Sequence, residues 1–149
     1  RNVYGDFIKG AKDGLRSIVS ILPTLIGLMV GVGVLRSSGF LDWLGELLGR
    51  WMKPIGFPPE LVPLGVVRLF SNSAATGLLL DLYKEYGTDS VIGTAASLMA
   101  SSTETVFYTM SVYFLAAKVT KTRYTLAGAL TATLAGIAAS VLLAFWLVG

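Results

Sequence analysis

The sequence predicts an all-α integral membrane domain: about three spanning helices, a re-entrant helical hairpin and amphipathic helices in the interface. Three observations predict it. The 149 residues are 54% hydrophobic and 14% charged, with a mean hydropathy of +0.69, which is too apolar for an ordinary soluble domain. Two polar runs, Ser71-Asn72-Ser73 and Ser101-Ser102-Thr103-Glu104-Thr105, interrupt otherwise apolar segments. A third stretch, residues 40–53, is too short and too charged to span.

The length allows one membrane domain over residues 1–149. Cysteine and histidine are absent, which excludes disulfides, thiolate and imidazole metal sites and histidine-based acid–base catalysis. Ser and Thr nucleophiles have no base at motif spacing, so the chain does not read as an enzyme, and no cofactor or metal is expected. The net charge of +3 is spread over loops and ends; that is an orientation signal and argues against nucleic-acid binding.

Residues 1–17 carry Asp6, Lys9, Asp13 and Arg16 at helical spacing opposite Phe7, Ile8, Ala11 and Leu15. This fits a lead-in helix, either lying in the interface or packed on the domain. The first apolar span then opens with an amphipathic segment, so no cleavable signal peptide is expected. Residues 15–35 are long enough to cross a hydrocarbon core of about 30 Å at about 1.5 Å per residue. Pro23 is a potential kink, and Gly27 with Gly31 forms a small-xxx-small pair suited to close helix approach.

Residues 40–53 place Asp42, Glu46, Gly49, Arg50 and Lys53 on one helical face and Phe40, Trp43, Leu44, Leu47 and Trp51 on the other, the pattern of an in-plane helix. Pro54, Pro58 and Pro59 break the chain after it. Residues 91–117 form a second span with Glu104 near its midpoint, and residues 126–148 a third. In the last, Gly128, Ala132, Gly136 and Ser140 recur every four residues, which predicts a close helix contact.

Residues 58–86 either cross once or turn back at Ser71-Asn72-Ser73 as two half-helices. Loop charge arbitrates. A hairpin puts Arg1, Lys9, Lys12, Arg16, Lys118, Lys121 and Arg123 on one side and Arg36, Arg50, Lys53 and Lys84 on the other. A full crossing moves three of the first group across and erases the asymmetry. The positive-inside rule therefore favours a re-entrant hairpin and a cytoplasmic N-terminus.

Hydrocarbon gives polar groups no water, so both polar runs are expected to lie in protein or beside a water-filled cavity. Arg68 and Glu104 are the ionisable residues deepest in apolar sequence and are expected within reach of each other, directly or through water. Ser71, Asn72, Ser73 and Thr76 are expected to face Ser102, Thr103 and Thr105, a wall that could take a solute's hydrogen bonds, with Ser101 also counted among the substrate-binding residues. Glu104 is also a candidate proton-coupling carboxylate. Asp81, Lys84, Glu85 and Asp89 read as a solvated turn, and Tyr83, Tyr86, Tyr108 and Tyr113 as core or interface aromatics.

Three strings carry a resemblance: LRSIVSILPTLIGLMVGVGVLRSSGFLDWL, VRLFSNSAATGLLLDLYKEYGTDSVIG and SSTETVFYTMSVYF. They resemble the bacterial spore maturation protein B family, within the Gate or nucleoside-recognition group, from about Gly10 to the end. More distantly, the polar-tipped hairpin and polar-centred helix are similar to half of a concentrative nucleoside transporter and to parts of B-type ferrous-iron transporters. The resemblance implies a cytoplasmic-membrane protein linked to spore-core dehydration, acting with a spore maturation protein A-like partner. It places Arg68, Ser71, Asn72 and Ser73 at the hairpin tip and Ser101 to Thr105 at the broken helix.

Inverted-repeat transporters have two halves, and only one is visible here. A homodimer or heteromer is therefore expected. The functional expectation is a transport or permeation subunit for a small polar solute; the alternative is an assembly protein whose polar core only fixes packing.

Overall fold

A computed structural model describes residues 2–52 and 56–149, with the side chains of residues 51 and 52 left out. Arg1, Lys53 and Pro54, used in the charge and chain-break arguments, lie outside the described residues, as does the Trp51 side chain. Every regular element among the described residues is a helix: α1 Val3–Ser37, α2 Phe40–Met52, a 3₁₀ turn Pro59–Leu61, α3 Val62–Arg68, α4 Asn72–Tyr86, α5 Val91–Ser102, α6 Val106–Ala116 and α7 Thr125–Val148. Two of them, α1 and α7, are long and apolar enough to cross a membrane.

The lead-in and first span are one continuous helix rather than two. Asn2 accepts from the Gly5 N–H at 3.1 Å, Asp6 sits in the first turn, and Pro23 lies inside without ending the helix. Thirty-five residues at about 1.5 Å each make about 50 Å, longer than a hydrocarbon core of about 30 Å. Val32 is its one buried residue. Gly39, at φ +74°, then turns the chain into α2.

In α2 the packed positions are Leu41, Gly45 and Gly49, while Phe40, Trp43 and Leu47 stay exposed. Gly49 thus belongs to the packed side and not to a polar face. A Cβ there would come within 2.9 Å of the Pro59 side chain, and one on Gly45 within 3.0 Å of the Pro59 carbonyl. These glycines let the 3₁₀ turn lie directly on α2.

The core joins Leu61 and Leu64 to Leu78 and Leu82 of α4, Ala95, Ala96 and Met99 of α5, and Val141 and Ala144 of α7. Small residues on α5 allow α4 and α7 to approach it closely. Part of the repeat in α7 serves this contact: Gly136 faces the Thr103 side chain, where a Cβ would sit at 3.4 Å, and Ser140 bonds Ser102 at 3.1 Å. Nothing lies within 4 Å of a Cβ on Gly128, nor on Gly27 or Gly31. The close contact expected at Gly27 and Gly31 is therefore absent among the described residues; α1 meets α4 at Gly77, beside Leu28 and Val32.

Asp81 is not part of a solvated turn. It lies within α4 and pairs with Arg36 at 2.5 Å, both side chains largely shielded. Lys84, Glu85 and Asp89 are exposed as expected. The pair ties the end of α1 to α4. Asp81→Asn should lower folding stability by about 1.5–3 kcal/mol, the range for a hydrogen bond to a charged group, read from a thermal melt in detergent. An unchanged melt would assign the α1–α4 contact to apolar packing alone.

Candidate functional site

Two interruptions lie side by side. The first, between α3 and α4, covers Leu69–Ser71, with Ser71 extended and its hydroxyl accepting the Ala74 N–H at 3.2 Å. That is N-cap chemistry, and it starts α4 at Asn72. The second covers Thr103–Thr105, where an extended Thr103 ends α5 before α6 begins. The Phe107 N–H donates to the Leu69 carbonyl at 3.1 Å, and the Phe70 and Phe107 rings stack with centroids 4.8 Å apart. The breaks are thus joined by backbone and by side chain.

Arg68 fastens the same junction from within, being only 8% exposed. Its Nη2 donates to the carbonyls of Ala100 and Thr103 at 2.7 and 2.6 Å, its Nη1 to the Asn72 side chain, and its Nε to the Thr103 hydroxyl at 3.4 Å. The carbonyls that close α5 carry the partial negative charge of a helix C-terminus, and a guanidinium complements it. Of the two expected arrangements, the direct one is absent: Arg68 makes no ion pair with Glu104 among the described residues. Backbone and side-chain oxygens of Asn72, Ala100 and Thr103 take its donors, and among the described residues the exposed Glu104 carboxylate accepts only the neighbouring Thr105 N–H, at 3.3 Å.

The remaining sequence-predicted residues divide. Asn72 and Thr103 meet through Arg68. Thr76 turns to the Asn72 carbonyl at 2.9 Å and Ser101 to the Leu98 carbonyl at 3.0 Å, while Ser73 is exposed. Thr105 is buried, its hydroxyl 3.4 Å from that of Thr109. The expected wall of Ser71, Asn72, Ser73 and Thr76 opposite Ser102, Thr103 and Thr105 therefore narrows to the Arg68 junction, because short hydroxyl side chains bond their own helices.

Beside the junction, α6 and α7 border an open cleft of about 410 Å³ whose walls include Ser102, Thr103, Glu104, Thr109, Tyr113 and Thr133; of these Ser102, Glu104 and Tyr113 are exposed. Sequence reasoning missed Thr109 and Thr133. A signal existed for the second: Thr133, Gly136 and Ser140 fall at i, i+3 and i+7, one face of α7. An apolar groove lies on the other flank, between α3 and α7, lined by Val62, Val66, Leu69, Leu130 and Leu134.

Comparison with known proteins settles the family. The Gate, or nucleoside recognition, family model matches residues 18–120, which take in α1 from Ile18 through both breaks. The chain belongs to this family. It is 42% identical to spore maturation protein B of Bacillus subtilis (strain 168) over 146 residues, covering 98% of this chain and 82% of that protein. It is 30% identical to the inner membrane protein YjiG of Escherichia coli (strain K12) over 83 residues, 55% of this chain and 54% of that one. No solved structure matches the chain. The Gate match contains the Arg68 junction whole, so this member of the family presents its two helix breaks as one polar unit.

Proposed function

We propose that this Gate-family chain is a transport or permeation subunit for a small polar solute in the bacterial cytoplasmic membrane, with the paired breaks as its moving part. The observation that carries the reading is the cleft of about 410 Å³ opening beside two joined helix interruptions. That volume falls in the range of small-molecule sites, and irregular backbone at membrane depth is tolerated only where protein or a cavity satisfies it. In this reading α3 and the start of α4 form a re-entrant hairpin and the N-terminus is cytoplasmic. Ser102, Thr103 and Glu104 meet the solute, while Arg68 and Asn72 hold the breaks in register.

The chain supplies one half of an inverted-repeat architecture. A second copy or a related membrane subunit, of the spore maturation protein A kind, completes it. The relationship to spore maturation protein B points to a role in drying the spore core.

Proteoliposomes test this by stopped-flow light scattering after osmotic shock with glycerol, urea or uridine. Vesicles bearing the protein, alone or with its partner, should re-swell faster than empty ones for at least one solute. Glu104→Gln should slow that phase by about tenfold, the discrimination expected when one charged contact worth about 1.4 kcal/mol is lost. Re-swelling at the empty-vesicle rate for every solute would refute transport.

A second reading, an assembly protein whose polar core only fixes packing, is favoured by one observation: four donor contacts of Arg68 end on the chain itself. It predicts that Glu104→Gln and Asn72→Ala change complex formation and leave no flux to lose.

A further inference from the structure

The surface of the helix junction combines two aromatic rings with a set of polar side chains. Phe70 is 57% exposed and Phe107 36% exposed, although the two stack on each other. The contacts that join the breaks gather the exposed residues Asn72, Ser73, Ser101 and Glu104 around this pair. Arg68 reaches from Asn72 to Ala100 and Thr103, and the Phe107 N–H reaches the Leu69 carbonyl. Exposed aromatic anchors with polar groups around them are how the centre and rim of a protein–protein interface are composed.

At the membrane depth assigned to the breaks, neither solvent suits this mixture. Lipid tails would accept the two rings but would leave a carboxylate, an amide and two hydroxyls without hydrogen-bond partners. Water would accept the polar groups and leave the rings uncovered. Another protein surface of the same make-up satisfies both. The cleft beside the junction is open as well, with Ser102 and Glu104 exposed on its walls, so one chain does not close the proposed solute site.

The polar set is complementary to itself. Asn72 uses its Oδ1 to accept from Arg68, which leaves its amide nitrogen as a donor, and the exposed Ser73 hydroxyl can donate too. The exposed Glu104 carboxylate is an acceptor, and no exposed cation belongs to the set. An interface between identical subunits requires this, because residue i meets j while j meets i. We propose that a second copy of this chain seats on this surface across a twofold axis. Phe70 and Phe107 pack against their counterparts, and the donors at Asn72 and Ser73 of one copy meet the Glu104 carboxylate of the other. The inference rests on the solute-site reading above and deepens it by naming the surface through which the site is completed.

The chain contains no cysteine, so a single introduced thiol reports on one position. Ser73→Cys in membrane vesicles treated with a short bis-maleimide should give a crosslinked dimer. Leu147→Cys, exposed at the far end of α7, should stay monomeric under the same treatment. Light scattering of the purified full chain in mild detergent should find a dimer, and Phe70→Ala should weaken it by about tenfold or more, as truncating an interface aromatic does. The crosslink keeps the test intact should the alanine variant fail to fold. A monomeric wild-type chain, equal crosslinking at both positions, an unchanged dimer in Phe70→Ala, or a dimer formed only with a different membrane subunit would overturn the proposal. A crosslinked dimer without flux for any solute would leave it standing and sink the transport reading. Flux from vesicles whose chains stay monomeric would do the reverse.

Discussion

Arg68→Ala should destabilise the fold by about 3–5 kcal/mol, the cost of breaking a buried charged network and leaving its acceptors bare. The guanidinium reaches Asn72, the Thr103 hydroxyl and the carbonyls of Ala100 and Thr103. For a chain of this size each kcal/mol corresponds to roughly 2–4 °C, so the melting temperature in detergent should fall by about 6–20 °C. Arg68→Lys should fall between wild type and alanine, because one ammonium on a flexible stem cannot serve several acceptors in a fixed fork. An alanine variant melting within about 2 °C of wild type would show that the two breaks hold without their arginine.

Gly93→Ala is expected to be comparably severe for a steric reason. A Cβ on Gly93 would stand 2.1 Å from the Gly87 carbonyl oxygen and 2.8 Å from that of Thr88. Both are backbone atoms of the turn that carries the chain from α4 to α5, and neither can rotate away. The turn is further fixed by Ser90, whose hydroxyl donates to the Gly87 carbonyl at 3.0 Å and accepts the Gly93 N–H at 2.9 Å. Gly87 itself has φ +83°, a conformation that side chains resist. Overpacking typically costs about 1–3 kcal/mol, and rebuilding backbone puts this case at the upper end, against a helix-propensity gain of about 1 kcal/mol. Gly27→Ala, with nothing within 4 Å, is the matched control and should leave the melt unchanged or raise it. If both variants melt alike, the turn is plastic.

Much of this was legible in the residues because hydrocarbon is so intolerant. Mean hydropathy and the two polar runs located both breaks to within a few residues, while the N-caps at Ser71 and Ser90 came from the structure. Arg68 stood out for the same reason. What the residues did not disclose was partner choice. An arginine and a glutamate in apolar sequence suggest each other, yet the freed carbonyls of a broken helix are invisible in a list of side chains. Those carbonyls hold Arg68 and leave Glu104 to the cleft. Asp81 was misplaced because charges near a turn read as solvated, and only the return of α1 against α4 supplies Arg36. The face of Gly49 was misread because a glycine's role depends on what approaches it, here Pro59, ten residues further along the chain and outside the helix's own periodicity.

The stacked Phe70 and Phe107, with the amide link from Phe107 to Leu69, have a mechanical meaning. Two weak points in a bundle would ordinarily give two independent joints. Yoked together, they make one joint: any tilt of α3 against α4 loads the Leu69–Phe107 link and so bears on the break between α5 and α6.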